Sequence, residues 1–577
     1  MGVMETASSI ITTSNIGKQQ LNITEMDMLC LRIAGLTHDL GHGPFSHVYE
    51  SFLKAAYKQE KEHPEMYSER NARFKEDFGV DLPPLPEKYE HEKTSLMMVD
   101  DLLATNGLEI DWGALDEPLK QVGDGVDSET FGVMSRNKNA PGETVVDHFT
   151  SRDWIFIKEC IYGKPLVYPD ALETQTSFVG RNMSKEFLYD IINNRHSGLD
   201  VDKYDYYGRD GLAAMGRNDS YNVLLRTAVV ARGLCPNRDT CFDCKDKPQF
   251  EEARHLMICY PVKHISEAMS FFETRINNHD KIYTHKKTKA AELLMVDLML
   301  EADRHFSMLL STQHDDPDAF PIHSRFAGFK YPKLPLSRAW MYPRLFLRAD
   351  DSIVGVIEDK ALESSDKNLA SLKTLLRGLR KHEFYKRVGE VEIDEIGGET
   401  LWDMDEEDIK REMVTILMET SEGNRIARTN ATYEFGDEEQ ITLDTNDIIV
   451  EKRELHYGRK EKNPVLQMNF LEKKDFEDIE ALPIEKLPLA GPPEKLPLNK
   501  PEHFIKRTIR FFSRNREKNE LLGHAFQNWK IAQEEGYNEL KMCFEEVDNE
   551  GESQSNPALL TQESTSYSAV KRRKLDF

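Results

Sequence analysis

Leu29, Ile33, Leu36 and Leu40 recur at intervals of three and four, and Thr24 stands three residues before Asp27 in the spacing of a capping box. This pattern predicts a buried helix from Thr24 that runs out at Gly41-His42-Gly43-Pro44. A second helical pattern follows His91 (Leu96, Val99, Leu103) and closes at Gly107, and a third spans Asp200 to Arg209. Residues 265–305 read as one long helix, with Met269, Phe272, Leu293, Leu294, Val296 and Leu298 on its apolar stripe. Residues 116–150 are rich in Gly, Asp, Ser and Asn and lack periodicity, which predicts a surface insertion. Past about residue 340, strand-like runs (Ile353 to Ile357, Ile441 to Val450) mix with helices and acidic turns.

The chain therefore reads as mostly α, a helical core with a mixed α/β C-terminal lobe. The expected layout is a core over 1–115 and 151–320 around the insertion 116–150, then a mixed lobe over 321–481. A stiff Pro-rich linker over 482–501 carries the repeat Glu485-Lys486-Leu487-Pro488-Leu489 and Glu494-Lys495-Leu496-Pro497-Leu498. A helical segment over 502–546 and a Ser- and Gln-rich disordered tail over 547–577 complete it.

Charge narrows the partners. With 75 Lys plus Arg against 101 Asp plus Glu, the net charge of -26 argues against binding nucleic acid or anionic membranes through bulk charge. An anionic ligand has to meet a local basic patch or a metal. The apolar runs fall short of a membrane span, and no basic stretch followed by an apolar one opens the chain. Seven cysteines, an odd number, fit an intracellular, reduced protein. Cys235, Cys241 and Cys244 with His255 or Cys259 offer zinc-ligand types, but one CxxC with irregular partners matches structural-zinc spacing loosely, and the favoured reading is a plain loop.

The chemistry concentrates in Leu36-Thr37-His38-Asp39-Leu40-Gly41-His42-Gly43-Pro44-Phe45-Ser46-His47. An isolated His-Asp pair is ordinarily a helix-end hydrogen bond. Three histidines within ten residues around Gly-His-Gly-Pro instead suit a divalent metal, and a mixed N/O donor set fits Zn, Fe or Mn. Glu90-His91-Glu92 opens the next helix, where the positive end of the dipole faces any anion in the cleft, and His91 suits a general acid. Asp202, Tyr206 and Arg209 share a helical face by i, i+4, i+7 spacing. Arg275, His279, Tyr283 and Lys286 form a cationic and aromatic stripe suited to a triphosphate and a stacked base or sugar.

Together these stretches resemble the HD-domain phosphohydrolases, and specifically the deoxynucleoside triphosphate triphosphohydrolases of the SAM-and-HD-domain family. The likeness is close at Ile33 to His47, at Gly198 to Asp210, from Thr274-Arg275 to Lys286, and at Tyr457-Gly458 with Glu461-Lys462-Asn463-Pro464. It extends from about residue 1 to 535, without a counterpart of the preceding SAM domain. The resemblance implies an HD helical core that cleaves dNTPs to deoxynucleoside and inorganic triphosphate. It implies His38, Asp39 and Asp202 as metal ligands and His91 as catalytic acid. His42 and His47 would then touch the substrate phosphates, with Lys203, Tyr206, Asp210, Arg275 and Tyr283 lining the phosphate and sugar pocket. It also implies GTP and dNTP activators, Mg with the bound nucleotides, and a homo-oligomer, dimer or tetramer, in which Lys263, His285, Lys286, Lys386 and Lys473 match the regulatory set. Pro261 and His382 stand where the family has arginines, and Glu267 where it has asparagine.

The family takes a further metal ligand from an upstream histidine, whereas this sequence has none before His38. The expectation is either a truncated chain or a degenerate homologue with a three-ligand site that binds nucleotide or nucleic acid without turnover. A different HD phosphohydrolase, a nucleotidase or phosphodiesterase, is the other enzymatic alternative. Lys571-Arg572-Arg573-Lys574 has the pattern of a nuclear localisation signal, with the cytoplasm as the alternative location. Lys506, Arg507, Arg510, Arg514, Arg516 and Lys518 with Phe504, Phe511 and Phe512 could contact RNA or single strands, though a helix with inward aromatics and outward cations is the reading preferred for them.

Overall fold

The computed structural model describes residues 1–79, 81–117, 120–121, 149–166, 178–217, 221–236, 244, 254–306, 310–311, 333–393, 398–419, 442–476, 478–496 and 501–550. Most of the expected insertion and the basic cluster Lys571 to Lys574 lie outside them. The chain divides into two compact units, one of Met1–Phe384 with Leu455–Ile505 and one of Tyr385–Glu454 with Lys506–Phe577. The mixed lobe expected over 321–481 is therefore not one body. Among the described residues no helix is long and apolar enough to cross a membrane.

The first unit is mostly helical. Its N-terminal part comprises α1 (Gly2–Thr12), α2 (Glu25–Thr37), α3 (His47–Glu62), α4 (Ser68–Phe78) and α5 (His91–Thr105), followed by the short hairpin β1 (Leu108–Glu109) and β2 (Lys120–Gln121). Then come α6 (Ser151–Tyr162), α7 (Tyr189–Ile192), α8 (Val201–Met215) and α9 (Asn222–Thr227). The capping box read at Thr24 and Asp27 forms, and Thr150 with Asp153 makes another at the head of α6, which ends at Gly163 in the left-handed region (φ 65°). Arg181 joins the two heads, reaching Asp27 at 2.6 Å and Asp153 at 2.7 Å, so these buried carboxylates are paired.

In α2 only half of the predicted stripe faces the core: Leu29 and Ile33 pack against it, whereas Leu36 and Leu40 are exposed. The most deeply buried positions are Cys30, Leu31, Ala34 and Gly35, because small residues there let α1 approach; a Cβ on Gly35 would lie 3.2 Å from the Met4 backbone. A sheet of order β10-β3-β4-β9 follows, from β3 (Val229–Leu234), β4 (Arg254–Pro261), β9 (Phe470–Leu471) and β10 (Leu489–Ala490). The expected Pro-rich linker thus contributes a strand, with Ala490 pairing to Gly233 and with Leu487 buried, because its apolar positions find a sheet edge to cover.

The long helix expected over 265–305 is broken into α10 (Ile265–Asn278), a π-helical turn (His279–Tyr283) and α11 (Lys286–His305), which His285 caps. Most of its named apolar residues are nonetheless inward, with Met269 and Phe272 in one core, Val296 and Leu298 in another and Leu294 buried, while Leu293 is half-buried. The unit also contains β5 (Leu310–Ser311), β6 (Lys333–Leu334), α12 (Pro343–Phe346), α13 (Ile353–Glu363) and α14 (Ala370–Arg380). Ile353 to Ile357, expected as a strand, opens α13, where Ile353, Ile357 and Ala361 bury one helical stripe at intervals of four.

The second unit sets β7 (Lys386–Glu392), β11 (Ile505–Ser513) and β8 (Ile448–His456) side by side, β11 in the middle, with α15 (Gly398–Asp403), α16 (Glu406–Glu419) and α17 (Asn519–Glu550). The helix expected from Phe504 is thus a strand first: Ile509, Phe511 and Phe512 are β-formers, and β11 pairs antiparallel with β7. Arg510, grouped with outward cations in the sequence, is buried and lies 3.3 Å from Glu390 and 3.5 Å from Glu451. Mostly α with a mixed α/β C-terminal part is the observed class.

Candidate metal centre

Helix α2 delivers His38 to its C-terminal cap, where Nδ1 lies 3.0 Å from the carbonyl of Gly35. A proton on Nδ1 donated to that carbonyl leaves the Nε2 lone pair facing two carboxylate oxygens, Asp39 Oδ2 at 3.2 Å and Asp202 Oδ1 at 3.5 Å. Nε2 is buried and finds no hydrogen-bond partner. A lone pair and two carboxylates converging on one point repel unless a cation or a proton sits among them. Burial pulls the His38 pKa down, but Asp202 and Asp39 outweigh it and push it up to about 10. Donor atoms of His38, Asp39 and Asp202 all lie within 4.8 Å of one another, so the residues present fit a divalent metal. Asp202 is placed by α8, whose N-cap Asp200 accepts from the Lys203 N–H at 3.1 Å.

The turn after His38 is clamped to α5. Ser95 Oγ accepts from the Gly41 N–H at 2.8 Å and donates to the His38 carbonyl at 2.6 Å, while Tyr89 donates to the Gly41 carbonyl at 2.6 Å. A Cβ on Gly41 would stand 2.0 Å from the His91 carbonyl oxygen. Gly41→Ala is therefore expected to cost at least about 1–3 kcal/mol and to loosen the metal centre. Urea unfolding with metal analysis of the same preparations checks this; a wild-type midpoint and metal content would show that the two segments need not touch. Phe45 and Ser46 follow with positive φ (59° and 53°), and the Phe45 N–H is anchored to Asp351 at 2.7 Å. This bend aims the first turn of α3, with His47 and Glu50, back toward His91.

Glu50 organises the histidines. Its Oε1 lies 2.6 Å from His91 Nδ1 and its Oε2 3.2 Å from His47 Nδ1, while His42 stacks on His91 with ring centroids 4.0 Å apart. Burial and the neighbouring His91 pull the His42 pKa down to about 4, so that ring is neutral near pH 7. For His91 burial acts downward, yet Glu50 and the nearby carboxylates leave its pKa raised; the Glu50 hydrogen bond also raises His47. Glu50 itself, despite burial, is held well below the carboxylate range by His47 and His91. The adjacent imidazoles His42 and His91 are thus pushed apart in pKa, the arrangement that separates an acid from a neutral donor. The sequence reading missed Glu50, Ser95 and Tyr89. Spacing carried a trace of two of them: Glu50 is three residues after His47, and Ser95 is one helical turn after His91.

Further along α8, Tyr283 donates to Asp210 at 2.8 Å and its ring centroid lies 6.2 Å from that of Tyr206. The π-helical turn presents Tyr283, and Arg275 donates from Nη1 to the His456 carbonyl. Lys203 turns back to the buried Asp200 at 2.6 Å. Arg209, expected beside Asp202 and Tyr206, is solvent-exposed and pairs with Asp205 and Asp210. Lys263, His285, Lys286 and Lys473 are exposed in the first unit and Lys386 is exposed in the second.

Residues 2–104 match the HD domain model, a stretch that contains His38, Asp39 and His91. The deoxynucleoside triphosphate triphosphohydrolase SAMHD1 of Mus musculus is 24% identical over 532 residues, covering 92% of this chain and 63% of the relative. That of Bos taurus is 27% identical over 479 residues (82% and 61%), and the SAMHD1 homolog of Dictyostelium discoideum is 24% identical over 529 residues (91% and 70%). The chain thus spans 63% of the length of the mouse and Danio rerio proteins it matches.

Proposed function

Because the chain is an HD-domain protein akin to the SAM-and-HD-domain triphosphohydrolases, we propose that it hydrolyses dNTPs to deoxynucleoside and inorganic triphosphate, lowering the dNTP pool. The observation that carries this reading is the orphaned His38 Nε2 between Asp39 and Asp202, beside the His91–Glu50 pair. His38, Asp39 and Asp202 would hold Zn, Fe or Mn. Such an ion, when bound, lowers the pKa of water and neutralises charge on phosphoryl oxygens. His91, whose pKa Glu50 helps to raise against burial, would donate its proton to the 5′ oxygen as the bond from that oxygen to the α phosphorus breaks and water oxygen bonds to phosphorus, the proton lost by the water leaving to solvent. His42 and His47 face the phosphates, the neutral His42 as an uncharged donor. Lys203 and Arg275 supply positive charge, and Tyr206, Asp210 and Tyr283 border the sugar.

Lys263, His285, Lys286, Lys386 and Lys473 would receive GTP or dNTP activators, with Mg, between subunits of a homo-oligomer. Their exposure in a single chain is compatible with that role. The basic cluster Lys571 to Lys574 supports a nuclear location. A second reading is a homologue that binds nucleotide without turnover.

Product analysis separates these readings. The purified chain with dGTP and Mn or Mg, with and without GTP, is expected to release deoxyguanosine and triphosphate in equal amounts. Release of dGMP or orthophosphate first would assign a different phosphohydrolase, and nucleotide binding without product would support the second reading.

A further inference from the structure

The β3–β4 hairpin holds a second group of ligand-type side chains that the proposed reaction does not use. Cys235 follows β3, His255 lies in β4, Cys244 lies in the connection between them, and His196 stands in the segment leading to α8. Donor atoms of His196, Cys235 and His255 all lie within 4.8 Å of one another. Cys244 Sγ is 2.8 Å from His255 Nε2, and it packs against Cys235; both cysteines are buried. The two imidazoles have ring centroids 5.1 Å apart.

Each imidazole is oriented from behind by a carboxylate. Asp190 Oδ1 lies 2.7 Å from His196 Nδ1, and Glu186 Oε2 lies 3.1 Å from His255 Nδ1. Glu186 is itself fixed, since its other oxygen accepts from the Leu256 N–H. With both Nδ1–H groups donated to carboxylates, both Nε2 atoms keep their lone pairs, and that of His255 meets the Cys244 thiol. This is the outer arrangement that metal-ligating histidines take.

We propose that His196, Cys235, Cys244 and His255 form a structural zinc site, separate from the centre at His38, Asp39 and Asp202. Two thiols and two imidazoles are the donor set of a closed tetrahedral site, and soft thiolates select zinc over Mg or Ca. Zn–S bonds of about 2.3 Å and Zn–N bonds of about 2.0–2.1 Å give a tetrahedron with edges of roughly 3.3–3.8 Å. His196, Cys235 and His255 reach that shape by shifts of about 1 Å from their present spread, and Cys244 joins them from its contact with His255 Nε2, which widens as the thiol proton leaves. Such a site would replace the plain-loop reading of this region: cysteines and histidines distant in sequence converge because β3 and β4 pair, setting Gly233 opposite His255.

The site would staple the hairpin to the segment six residues ahead of Asp202. Arg459 already ties that segment, donating to the carbonyls of Arg195 and His196 at 3.0 and 2.5 Å. Zinc would thereby fix the start of α8.

The test uses the full chain expressed with zinc and carrying Asp202→Ala, which disables the other centre. Elemental analysis after gel filtration is expected to find about one zinc per chain, falling to near none when Cys235→Ser and Cys244→Ser are added. Cobalt exchanged into the Asp202→Ala chain, with its cysteines intact, should give a thiolate-to-cobalt charge-transfer band and intense tetrahedral visible bands. That spectrum decides the question even where the serine variants fail to fold. Absence of retained zinc, zinc unchanged in folded serine variants, or a cobalt spectrum without the thiolate band would each overturn the proposal. None of these readouts depends on dNTP turnover, so the zinc site and the hydrolase reading fail separately.

Discussion

Asp202→Ala is expected to reduce dNTP hydrolysis to the level of the heat-inactivated chain, a loss on the order of 10⁴-fold, the scale on which a member of a catalytic unit acts. Asp202 supplies one of the three donor groups converging near His38 Nε2, and its Oδ1 lies 3.5 Å from that nitrogen. Removing it leaves His38 and Asp39, a pair that should lose metal by more than the 10–100-fold that an outer-shell partner typically costs. The effect on the fold is the balance of two terms: Asp202 repels the buried Asp200, whose pKa is raised by burial with Asp202 contributing, but it also attracts the protonated His38. The melting temperature of the metal-free variant should therefore stay close to that of the metal-free parent. Product formation, metal content and thermal melting in chelator together test this. Turnover within tenfold of the parent would remove Asp202 from the metal centre, and a large loss of melting temperature would make it a structural residue.

Glu50→Gln is expected to lower kcat by about 10²–10³-fold while leaving KM nearly unchanged, the span of a disabled general acid. The amide keeps the shape but not the charge. Burial pulls the His91 pKa down and Glu50 opposes it. Without that carboxylate the pKa of His91 falls. A general acid works while protonated, so activity is lost as pH rises through its pKa; in the variant the alkaline limb of the kcat profile should move to lower pH. Glu50→Asp, which restores the charge with a shorter reach, should recover part of both effects. A reduced kcat with an unmoved alkaline limb would mean that Glu50 acts on packing alone, and an unchanged kcat would remove it from the site.

The local signals that the sequence carried well were those between residues a few positions apart. The capping box at Thr24 and Asp27, the helix from His91, the Asp200 cap of α8 and the inward residues of the split helix all depend on neighbours along the chain. His38 and Asp39 stood out because their spacing to His42 and His47 is local too. Periodicity misled where burial depends on a distant partner. Leu36 and Leu40 fall on the α2 stripe by spacing, yet α1 packs on the small face around Ala34 and Gly35 and leaves both leucines in solvent. Ile353 to Ile357 has strand composition but turns helical because its intervals of four match an available core. Residues 505–513 form a strand because β7 and β8 lie on either side to accept their hydrogen bonds.

Composition and motif, by themselves, determined the class of chemistry: an acidic, mostly helical chain that gathers imidazole and carboxylate at a helix end beside flexible glycines. The tertiary structure decided the partners. It set Glu50 against His91 across 41 positions of sequence and Ser95 against His38 across 57. It also set His255 beside His196 and two cysteines in a hairpin whose spacing matched a zinc motif only loosely. The physical reason is that a pKa, a metal-ligand set and a buried ion pair depend on the distances and solvent around each group. Those are fixed only when remote segments pack, whereas helix caps and periodicities are settled within one or two turns of chain.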